Sequence, residues 1–403
     1  MKKIILFSLL YSMSVMATNA VNLTSSSTKG MGVAGNGISQ FYSVQDALIK
    51  NPATLTQGQN QIDVSLLSLL PNVKTRDKSQ DSSYRQSAIT YVPIPSFGIS
   101  YKYSSWNLGA GLVPVAGLAS DFKKETSVFE LAPSLTIINL PVSVAKKMDK
   151  LSVGASLIGA IGSASINTSK TAFTPSQSER NPNYQLGYGY NLGAIYEATE
   201  ALTLGLSYKS KTYFKFERQT DLESYVGVQG TSLDDLELET PEEIGFGITQ
   251  KIKNNLFSLE AKRLYWGSAR GFKSYDWQNQ DVISGSWLYE FEKSYFSLGY
   301  AYSDQVFSSK KNENGSATKV IEGVSLTQQN VSYFNVVGYP AILRHKITAG
   351  YGYELNEKLT LQSSVLYCPE ETIRRSGVGF NGAYDYQTKI SFLFINVGAS
   401  YKF

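Results

Sequence analysis

Three glycines near the N-terminus form the string in this chain that most resembles a chemical motif. Gly30, Gly32 and Gly35 match G-x-G-x-x-G, the spacing that holds a dinucleotide pyrophosphate at the start of a helix. That fingerprint requires a strand before it and a helix directly after it. Here a Ser/Thr run precedes the glycines, and Asn36-Gly37 disfavours an immediate helix. The sequence therefore predicts no dinucleotide site.

Catalytic and metal chemistry are poorly supported by the remaining reactive residue types. His345 is the only histidine, so any serine-hydrolase or histidine-metal site would have to converge on it. It stands beside Arg344 at the start of a predicted strand, where a solvated or loop-packing role is the simpler interpretation. Cys368 has no partner for a disulfide and is interpreted as a small apolar filler. We expect no catalytic residue, no metal and no cofactor.

The first twenty residues have the features of a secretory signal. Lys2 and Lys3 precede an apolar core over residues 4–10, and cleavage after Ala20 fits better than cleavage after Ala17. No later stretch is apolar for long enough to cross a membrane as a helix. Loss of the two lysines lowers the formal charge of +4 by two, which is too mild to indicate nucleic acid. The chain is predicted to be exported.

Alternating side chains indicate strands with one apolar and one small or polar face. In the last nine residues, 395–403, the odd positions are apolar or aromatic, while Asn, Gly, Ser and Lys occupy the even ones. The pattern recurs at residues 151–157, 186–196, 202–209, 296–302, 347–353 and 359–367. The chain also has 27 Tyr, 33 Gly and only 17% charged residues. A barrel wall between lipid and a watery lumen has this composition, because its two faces cancel in bulk hydropathy.

Short and long links between these strands alternate. Outer-membrane barrels show this alternation because their periplasmic turns are tight and their external loops are long. The tight links are predicted near 104–105, 199–200, 254–255, 292–293 and 356–358, with 141–150 as a longer exception. The long links are predicted near 71–86, 116–127, 163–183, 217–243, 267–285, 308–343 and 370–386.

The resulting fold prediction is all-β, an antiparallel transmembrane barrel of about 14 strands over residues 61–403. The segment 21–60 does not fit the wall, since it is rich in Gly, Ser, Thr and Asn with one helical stretch near Val44 to Lys50. A barrel of this size has a lumen that its own side chains do not fill. We predict that residues 1–20 are a signal peptide and that 21–60 form a plug, or hatch, inside the lumen.

The predicted hatch carries the motifs of a known family. A Gly/Ala-rich run over residues 30–37, the pair Asp46-Ala47 and the triplet Asn51-Pro52-Ala53 resemble the N-terminal hatch of the FadL/TodX outer-membrane transporters of hydrophobic compounds. Further matches follow in order along the chain. They are Trp106-Asn107-Leu108-Gly109 with Pro114, Pro241, Trp266-Gly267-Ser268, and Pro340 with Arg344 and His345.

The resemblance implies a location and a cargo. It implies the outer membrane of a Gram-negative bacterium, passive uptake of a hydrophobic small molecule such as a fatty acid or hydrocarbon, and a monomer that contacts the lipid bilayer and lipopolysaccharide. Long-chain fatty acids are the preferred cargo, taken from a groove between loops into an apolar lumen pocket. The alternatives are a polar porin and an adhesin-type barrel. An outer-membrane hydrolase is disfavoured by the lone histidine.

The resemblance also implies site residues. The hatch residues are Gly30, Gly32, Gly35, Asp46, Asn51, Pro52 and Ala53. The third strand, with Gly109, Gly111, Pro114 and Gly117, is where the family opens sideways toward lipid. Pro114 removes a ladder donor in a barrel without edges, so a plain β-bulge is an equal alternative to an opening. The Asn-Pro-Ala triplet is open to two interpretations, a simple turn and a rigid hatch end. Lys209 and Arg344 are candidate partners for a ligand carboxylate.

Overall fold

The computed structural model describes residues 19–122, 131–168, 183–217, 235–321, 324–380 and 382–403. Of the predicted signal peptide, residues 1–18 therefore lie outside the described residues. So do parts of the predicted long links at 116–127, 163–183, 217–243 and 308–343. No helix among the described residues is both long and apolar enough to cross a membrane.

Fourteen antiparallel strands close into a barrel, as predicted. Each strand pairs with the next, and the last strand returns to the first over its whole length, from Gln61 opposite Lys402 to Asp77 opposite Tyr386. We number these wall strands in chain order. They are β1 (Gln61–Asp77), β2 (Val92–Tyr103), β3 (Trp106–Ala119), β4 (Leu131–Met148), β5 (Leu151–Thr168), β6 (Asn183–Glu197), β7 (Leu202–Lys209), β8 (Glu243–Ile252), β9 (Asn255–Leu264), β10 (Gln280–Phe291), β11 (Ser294–Ser303), β12 (His345–Glu354), β13 (Leu359–Gly379) and β14 (Gly382–Lys402).

The two faces of the wall follow the dyad pattern of the sequence. On β6 the outward side chains Leu186 and Tyr188 are 66% and 75% exposed, whereas Asn191 on the inner face is buried. On β14 the outward Ile395 and Val397 alternate with the inward, fully buried Phe394. Apolar exposure on this scale fits a lipid-facing belt, and the buried inner face fits a filled lumen.

Two predicted links differ from the structure. The 141–150 link is a two-residue turn, because β4 runs to Met148 and β5 begins at Leu151, with Asp149 in the left-handed region at φ 54°. The predicted long link at 370–386 is wrong, because β13 and β14 continue as a paired ladder to Gly379 and Gly382. Polar side chains over 370–386 suggested a loop, but strands that extend above a membrane face water and carry polar residues.

The described part of the N-terminal segment, residues 19–60, lies inside the barrel; we call it the hatch segment. Its helices are α1 (Thr28–Gly32) and α2 (Val44–Ile49), followed by a 3₁₀ turn over Pro52–Gln57. Each begins with a side-chain cap, from Ser27 for α1, Ser43 for α2 and Asn51 for the 3₁₀ turn. The helix α1, which contains Gly30 and Gly32, is absent from the sequence-based prediction.

The external connections add short elements of their own. Lys310–Asn314 runs parallel to β13, and α3 (Gln328–Tyr333) continues into a π-turn over Phe334–Gly338. Arg85–Gln86 pairs with the far end of β1. The remaining short elements are the strand pairs Tyr213–Phe216 with Leu236–Glu239 and Thr318–Ile321 with Val324–Thr327, and the 3₁₀ turns Trp266–Ser268 and Lys273–Tyr275.

Candidate functional site

Asp46 is the centre of a polar network that holds the two halves of the hatch segment together. Its carboxylate accepts hydrogen bonds from Ser25 Oγ at 2.8 Å, from Ser43 Oγ at 2.8 Å and from Ser27 Oγ. Lys50 Nζ forms an ion pair with the same carboxylate at 2.7 Å, and both side chains are almost completely buried. Burial lowers the pKa of the Lys50 amine, while the charge of Asp46 acts in the opposite direction. The predicted hatch residue Asp46 therefore joins α1 to α2.

The three glycines of the G-x-G-x-x-G string are required by close packing. A Cβ at Gly30 would lie 2.0 Å from Asp46 Oδ2, and one at Gly32 would lie 2.9 Å from the Cα of Gly350 on β12. Gly35 has φ +78°, which disfavours any side chain, and a Cβ there would meet Thr24 O at 2.4 Å. In this structure the glycines allow the hatch segment to fold tightly and approach the wall.

Asn51 ties the hatch segment to the wall. Its Oδ1 accepts a hydrogen bond from Ala53 N, and its Nδ2 donates to Ile38 O at 2.6 Å, to Ala194 O on β6 at 3.1 Å and to Leu206 O on β7 at 3.3 Å. A Cβ at Gly193 would lie 1.8 Å from Asn51 Oδ1. Asn51 therefore both caps the 3₁₀ turn and holds the hatch segment against the wall.

Pro52 and Ala53 continue this contact along β5. A Cβ at Gly154 would lie 2.5 Å from both the Pro52 carbonyl carbon and Ala53 N. Small inward-facing wall residues therefore let the hatch backbone approach closely.

Glu260 on β9 is a second anchor, which the sequence analysis missed. Its Oε1 accepts hydrogen bonds from the backbone N–H groups of Gly37 at 2.7 Å and Ile38 at 2.6 Å. Nearby, Asn36 Nδ2 donates to Ser286 Oγ on β10 at 2.9 Å. The available signal was a carboxylate at an inward position of β9, next to Ser258 and Lys262 on the same face.

The wall contains a break between β2 and β3. These strands pair only from Phe97 opposite Leu112 to Tyr103 opposite Trp106. Beyond Leu112, the described residues of β3 pair within the wall only with β4, and residues 92–96 of β2 pair with β1 alone. The segments that flank the two strands meet again farther out, where Ala88 N donates to Asp121 O at 2.8 Å. We call this bounded gap in the ladder the window.

Pro114 lies beside the window. On the other side of β3, Pro114 pairs with Ile138 and Ala116 with Ile137, so Val115 is an extra residue in the ladder. Both alternatives from the sequence are therefore represented, because β3 is bulged toward β4 and unpaired toward β2. Whether the window serves as an exit stays a prediction.

The start of the hatch segment occupies the window from inside. Leu23 N donates to Val115 O and Gly117 N donates to Val21 O, each at 2.9 Å, so residues 21–23 form a short antiparallel pairing with β3. Ser26 Oγ also donates to Pro114 O. Three β3 backbone groups beside the break, Pro114 O, Val115 O and Gly117 N, are thus satisfied by the hatch segment.

Apolar side chains surround the window. Val21 and Leu23 of the hatch segment are buried together with Ile94 of β2 and Leu118 of β3, in the same cluster that fills the barrel interior. Below the window, Gly111 leaves room for Leu48 of α2, since a Cβ there would lie 2.9 Å from Leu48 Cδ1. Gly109, also on this part of β3, likewise leaves room for the side chains of Leu48 and Leu55.

The two predicted head-group residues each have a carboxylate partner. Lys209 Nζ lies 3.2 Å from Glu243 Oε2, and Arg344 Nε lies 2.7 Å from Glu371 Oε2. These two residues lie on different sides of the barrel, since Lys209 ends β7 and Arg344 immediately precedes β12. Their predicted role in binding a carboxylate is not tested by these contacts.

Lys346, which the sequence analysis missed, is a different kind of cation. It points inward from β12, is completely buried, and donates to Ser303 Oγ at 2.5 Å and more weakly to Arg344 O at 3.4 Å. No carboxylate oxygen of the described residues lies within 4.0 Å of its Nζ. The neighbouring inward residues Leu343, Leu366 and Cys368 belong to the apolar interior cluster. A buried charge in this setting is costly unless an anion accompanies it.

A polar cavity lies at the short-turn end of the barrel, beneath the hatch segment. Its volume is about 230 Å³, and Gln40, Gln57, Lys251, Asn255 and Glu290 are among its lining residues. The hatch segment therefore lies between an apolar interior and a polar cavity at this end. Among the described residues, no group of three or more His, Cys, Asp or Glu side chains is placed to hold a metal ion.

Comparisons with known proteins agree with this architecture. The sequence profile of the family described as outer membrane protein transport protein (OMPP1/FadL/TodX) matches residues 9–307, which is most of the chain. A search of curated proteins finds no match.

Solved structures share the fold at low sequence identity. The toluene transporter TodX of P. putida superimposes with a TM-score of 0.69 at 16% identity, covering 94% of this chain and 99% of that one. A FadL homologue of Pseudomonas aeruginosa gives 0.67 at 14% identity, covering 95% and 100% of the two chains. The toluene transporter TbuX of Ralstonia pickettii gives 0.64 at 15% identity, covering 94% and 98%.

The family has a defined activity and location. Its members are passive transport channels for hydrophobic compounds in the outer membrane of Gram-negative bacteria, and they are not enzymes. With its closed 14-stranded wall and a profile match over most of its length, this chain belongs to the OMPP1/FadL/TodX family of outer-membrane transport proteins for hydrophobic compounds.

Proposed function

We propose that this protein takes up long-chain fatty acids, and that the observation carrying this choice is the buried amine of Lys346. A toluene-like cargo is neutral and needs no cation, whereas a fatty acid presents a carboxylate at the end of an apolar chain. A lysine without a carboxylate partner, facing an apolar interior, is complementary to that ligand. Binding the acid would offset the cost of burying the ammonium group.

Lys209 and Arg344 have secondary parts in this proposal. Each is held by a carboxylate, so a ligand would have to displace Glu243 or Glu371 to reach it. Arg344 is adjacent to Lys346, and its carbonyl oxygen is one of the two acceptors of the Lys346 amine. In our proposal Arg344 attracts the approaching acid, and Lys346 holds it.

Capture would begin at the external loops. Beneath these loops, Trp266, Phe272, Trp277 and Phe307 form a contiguous buried aromatic cluster, with ring centroids between 4.7 and 5.8 Å apart. This cluster belongs to the same apolar interior as the residues beside Lys346. A hydrophobic chain would therefore pass from loop to lumen without entering water, and flow would follow its concentration gradient.

Exit would take place sideways through the window between β2 and β3. Residues 21–23 block it with two backbone hydrogen bonds and apolar contacts, which is a small barrier compared with opening a continuous ladder. The alternative route past the hatch leads into the polar cavity lined by Gln40, Lys251 and Glu290, where an apolar chain is disfavoured. Ligand binding must favour the displaced position of residues 21–23 for the window to open.

Uptake into proteoliposomes tests the proposal. Purified protein would be assayed with oleate, with toluene and with a small sugar, comparing the unaltered chain with Lys346→Met. We expect the variant to lose at least tenfold in oleate uptake while toluene uptake stays the same. Lys209→Met is the comparison variant: because Lys209 is already paired with Glu243, we expect its loss to lower oleate uptake far less than the loss of Lys346.

Two outcomes would contradict the assignment. Equal oleate uptake by the Lys346→Met protein would exclude a fatty-acid site at this lysine. Free passage of the sugar with no passage of oleate would favour the porin alternative over hydrophobic transport.

A further inference from the structure

The outer surface of the barrel carries a group of cations above the apolar belt, where β13, β14 and β1 meet. Lys74 of β1 and Lys389 of β14 lie directly opposite each other in the register, and Arg76 lies one step farther out on the same face. All three belong to the outward set of positions that includes the exposed Leu70 and Leu393. We call these three residues the cation patch.

Like charges directly opposite on one face of a sheet are destabilising, because their side chains start about 5 Å apart. Lys389 is partly neutralised by Glu370, with Nζ 3.1 Å from Oε1. Lys74 forms no ion pair with any carboxylate of the described residues. The patch therefore has an uncompensated positive charge that an external anion would relieve.

Arg76 is positioned by neutral groups. Its Nε and one terminal nitrogen donate to Gln387 Oε1 at 3.1 and 2.7 Å, and the other terminal nitrogen donates to Ser82 O at 2.7 Å. Its guanidinium also lies 4.2 Å from the centre of the Tyr84 ring. None of these partners carries a negative charge, so Arg76 is held in place with its charge intact.

The height of the patch agrees with the lipid head-group region. The exposed Tyr401, near the short-turn end of β14, marks the opposite edge of the apolar belt. Lys389 is twelve residues from it along the strand, or about 40 Å at a rise of about 3.3 Å per residue. With a strand tilt of about 40° the vertical distance is about 30 Å, just beyond an apolar belt that is about 25 Å tall. Lys389 lies toward the end with long links, which in this family's membrane is the outer leaflet.

We propose that Lys74, Arg76 and Lys389 bind a phosphate group of lipid A, the glycolipid anchor of lipopolysaccharide, in the outer leaflet. Two primary amines and one guanidinium on the same face of two adjacent strands suit a phosphate dianion. The exposed Leu70 and Leu393, four residues below on the same face, would contact the acyl chains. The site does not depend on the fatty-acid cargo.

Binding of lipid A to the purified full-length protein tests this site. Native mass spectrometry in detergent would compare the unaltered chain with a Lys74→Gln/Arg76→Gln/Lys389→Gln variant. We expect at least a tenfold weaker retention of lipid A by the variant, and no difference for dephosphorylated lipid A. Arg263→Gln is the matched control, because Arg263 is an exposed outward cation already paired with Asp281.

A second variant gives a change of opposite sign. Glu370→Gln removes the carboxylate beside Lys389 and should strengthen lipid A retention severalfold, even if the triple variant folds poorly. Equal lipid A binding by the unaltered chain and the Glu370→Gln protein would overturn the proposal. Competition by phosphatidylglycerol or inorganic phosphate as strong as that by lipid A would do the same. Oleate uptake should be unchanged in both variants, which separates this test from that of the transport proposal.

Discussion

Two seams of the barrel differ in how their backbone N–H and C=O groups are paired. They are the seam between β14 and β1 and the seam between β2 and β3. The first is a ladder that is unbroken from Gln61 to Asp77 and closes the barrel. The second is paired only below Leu112, and farther out its β3 side is completed by residues 21–23 of the hatch segment. In hydrocarbon every backbone polar group must find a partner. The backbone groups of the first seam are paired within the wall, whereas three groups on the β3 side of the second are paired with the hatch segment, which is not part of the wall.

From this difference we expect the β14–β1 seam to be rigid and the window to be the easier place to open. Opening the β14–β1 seam would expose many backbone groups to lipid at several kcal/mol each, which no small ligand can supply. Opening the window requires displacement of residues 21–23 and of the Ser26 contact with Pro114. If cargo leaves sideways, as we propose, the second seam is the one that would open.

The largest expected effect follows from breaking the continuous seam. Val64 pairs with Ala399 on one side and Phe97 on the other, so Val64→Pro removes a ladder hydrogen bond and leaves its acceptor unpaired in the membrane. We expect a loss of several kcal/mol in barrel stability, measured by urea unfolding in lipid vesicles. Val64→Thr, which keeps the backbone N–H, is the control. Normal stability of the proline variant would show that this seam is not the rigid one.

Locking the window should stop transport without affecting folding. Asn22 and Ala116 are directly opposite in a non-hydrogen-bonded pair, where a Cα separation of about 4.5 Å permits a disulfide. In a Cys368→Ala background, Asn22→Cys/Ala116→Cys is expected to lower oleate uptake at least a hundredfold when oxidised and to recover with reductant.

The matching disulfide in the rigid seam provides the control. Val64→Cys/Ala399→Cys joins residues that already face each other in the continuous ladder, and it should leave uptake unchanged. Equal uptake by the oxidised window variant would mean that residues 21–23 need not move away from β3 during transport.

Releasing the other end of the hatch segment should have an intermediate effect. Asn51→Ala removes the donors to Ile38, Ala194 and Leu206, so we expect the hatch segment to lose about 2 kcal/mol of local stability while the barrel stays folded. Hydrogen exchange of residues 36–57, with the β14–β1 amides as internal reference, measures this. Unfolding of the whole barrel would instead make Asn51 a purely structural turn residue.

The smallest effect is expected from restoring a donor beside the window. Pro114→Ala supplies an N–H that permits a more regular β3, and this should favour the closed wall and slow oleate uptake two- to fivefold. Barrel stability should be equal or lower by up to about 1 kcal/mol, because alanine gives the unfolded chain more conformational freedom than proline. Faster uptake would show that the proline restrains the window and does not promote it.

Strand identity was open to prediction because it depends on local periodicity. Alternation at 395–403 and at 186–196 is visible in the sequence, and the structure places these side chains on opposite faces as expected. The 370–386 link was misjudged because strands that continue beyond a membrane lose the apolar half of the pattern. The 141–150 link was misjudged although Val142, Val144 and Met148 keep that pattern up to the turn. The composition of residues 21–60 predicted a plug, and the family motifs in residues 30–53 added the prediction of its individual residues.

The site was only partly open to prediction. Asp46 and Asn51 stand in recognisable motifs, but their partners at Ser25, Ala194 and Leu206 are distant in sequence. Glu260 and Lys346 belong to strands whose patterns say only that these side chains face inward. Glu260 accepts hydrogen bonds from the hatch backbone, whereas Lys346 has no carboxylate partner among the described residues. Both outcomes depend on how the hatch segment and the external connections fill the lumen.

The sequence by itself determined the count of strands and the side of each strand that faces lipid, while the export signal at residues 1–20 stays a prediction. The strand properties depend on the alternation of side chains two residues apart, which can be read directly from the sequence. Only the tertiary structure decided where the wall is left unpaired and what fills the gap. That outcome depends on backbone groups of β3 meeting residues 21–23, which are some ninety positions away in the chain and become adjacent only when the barrel closes.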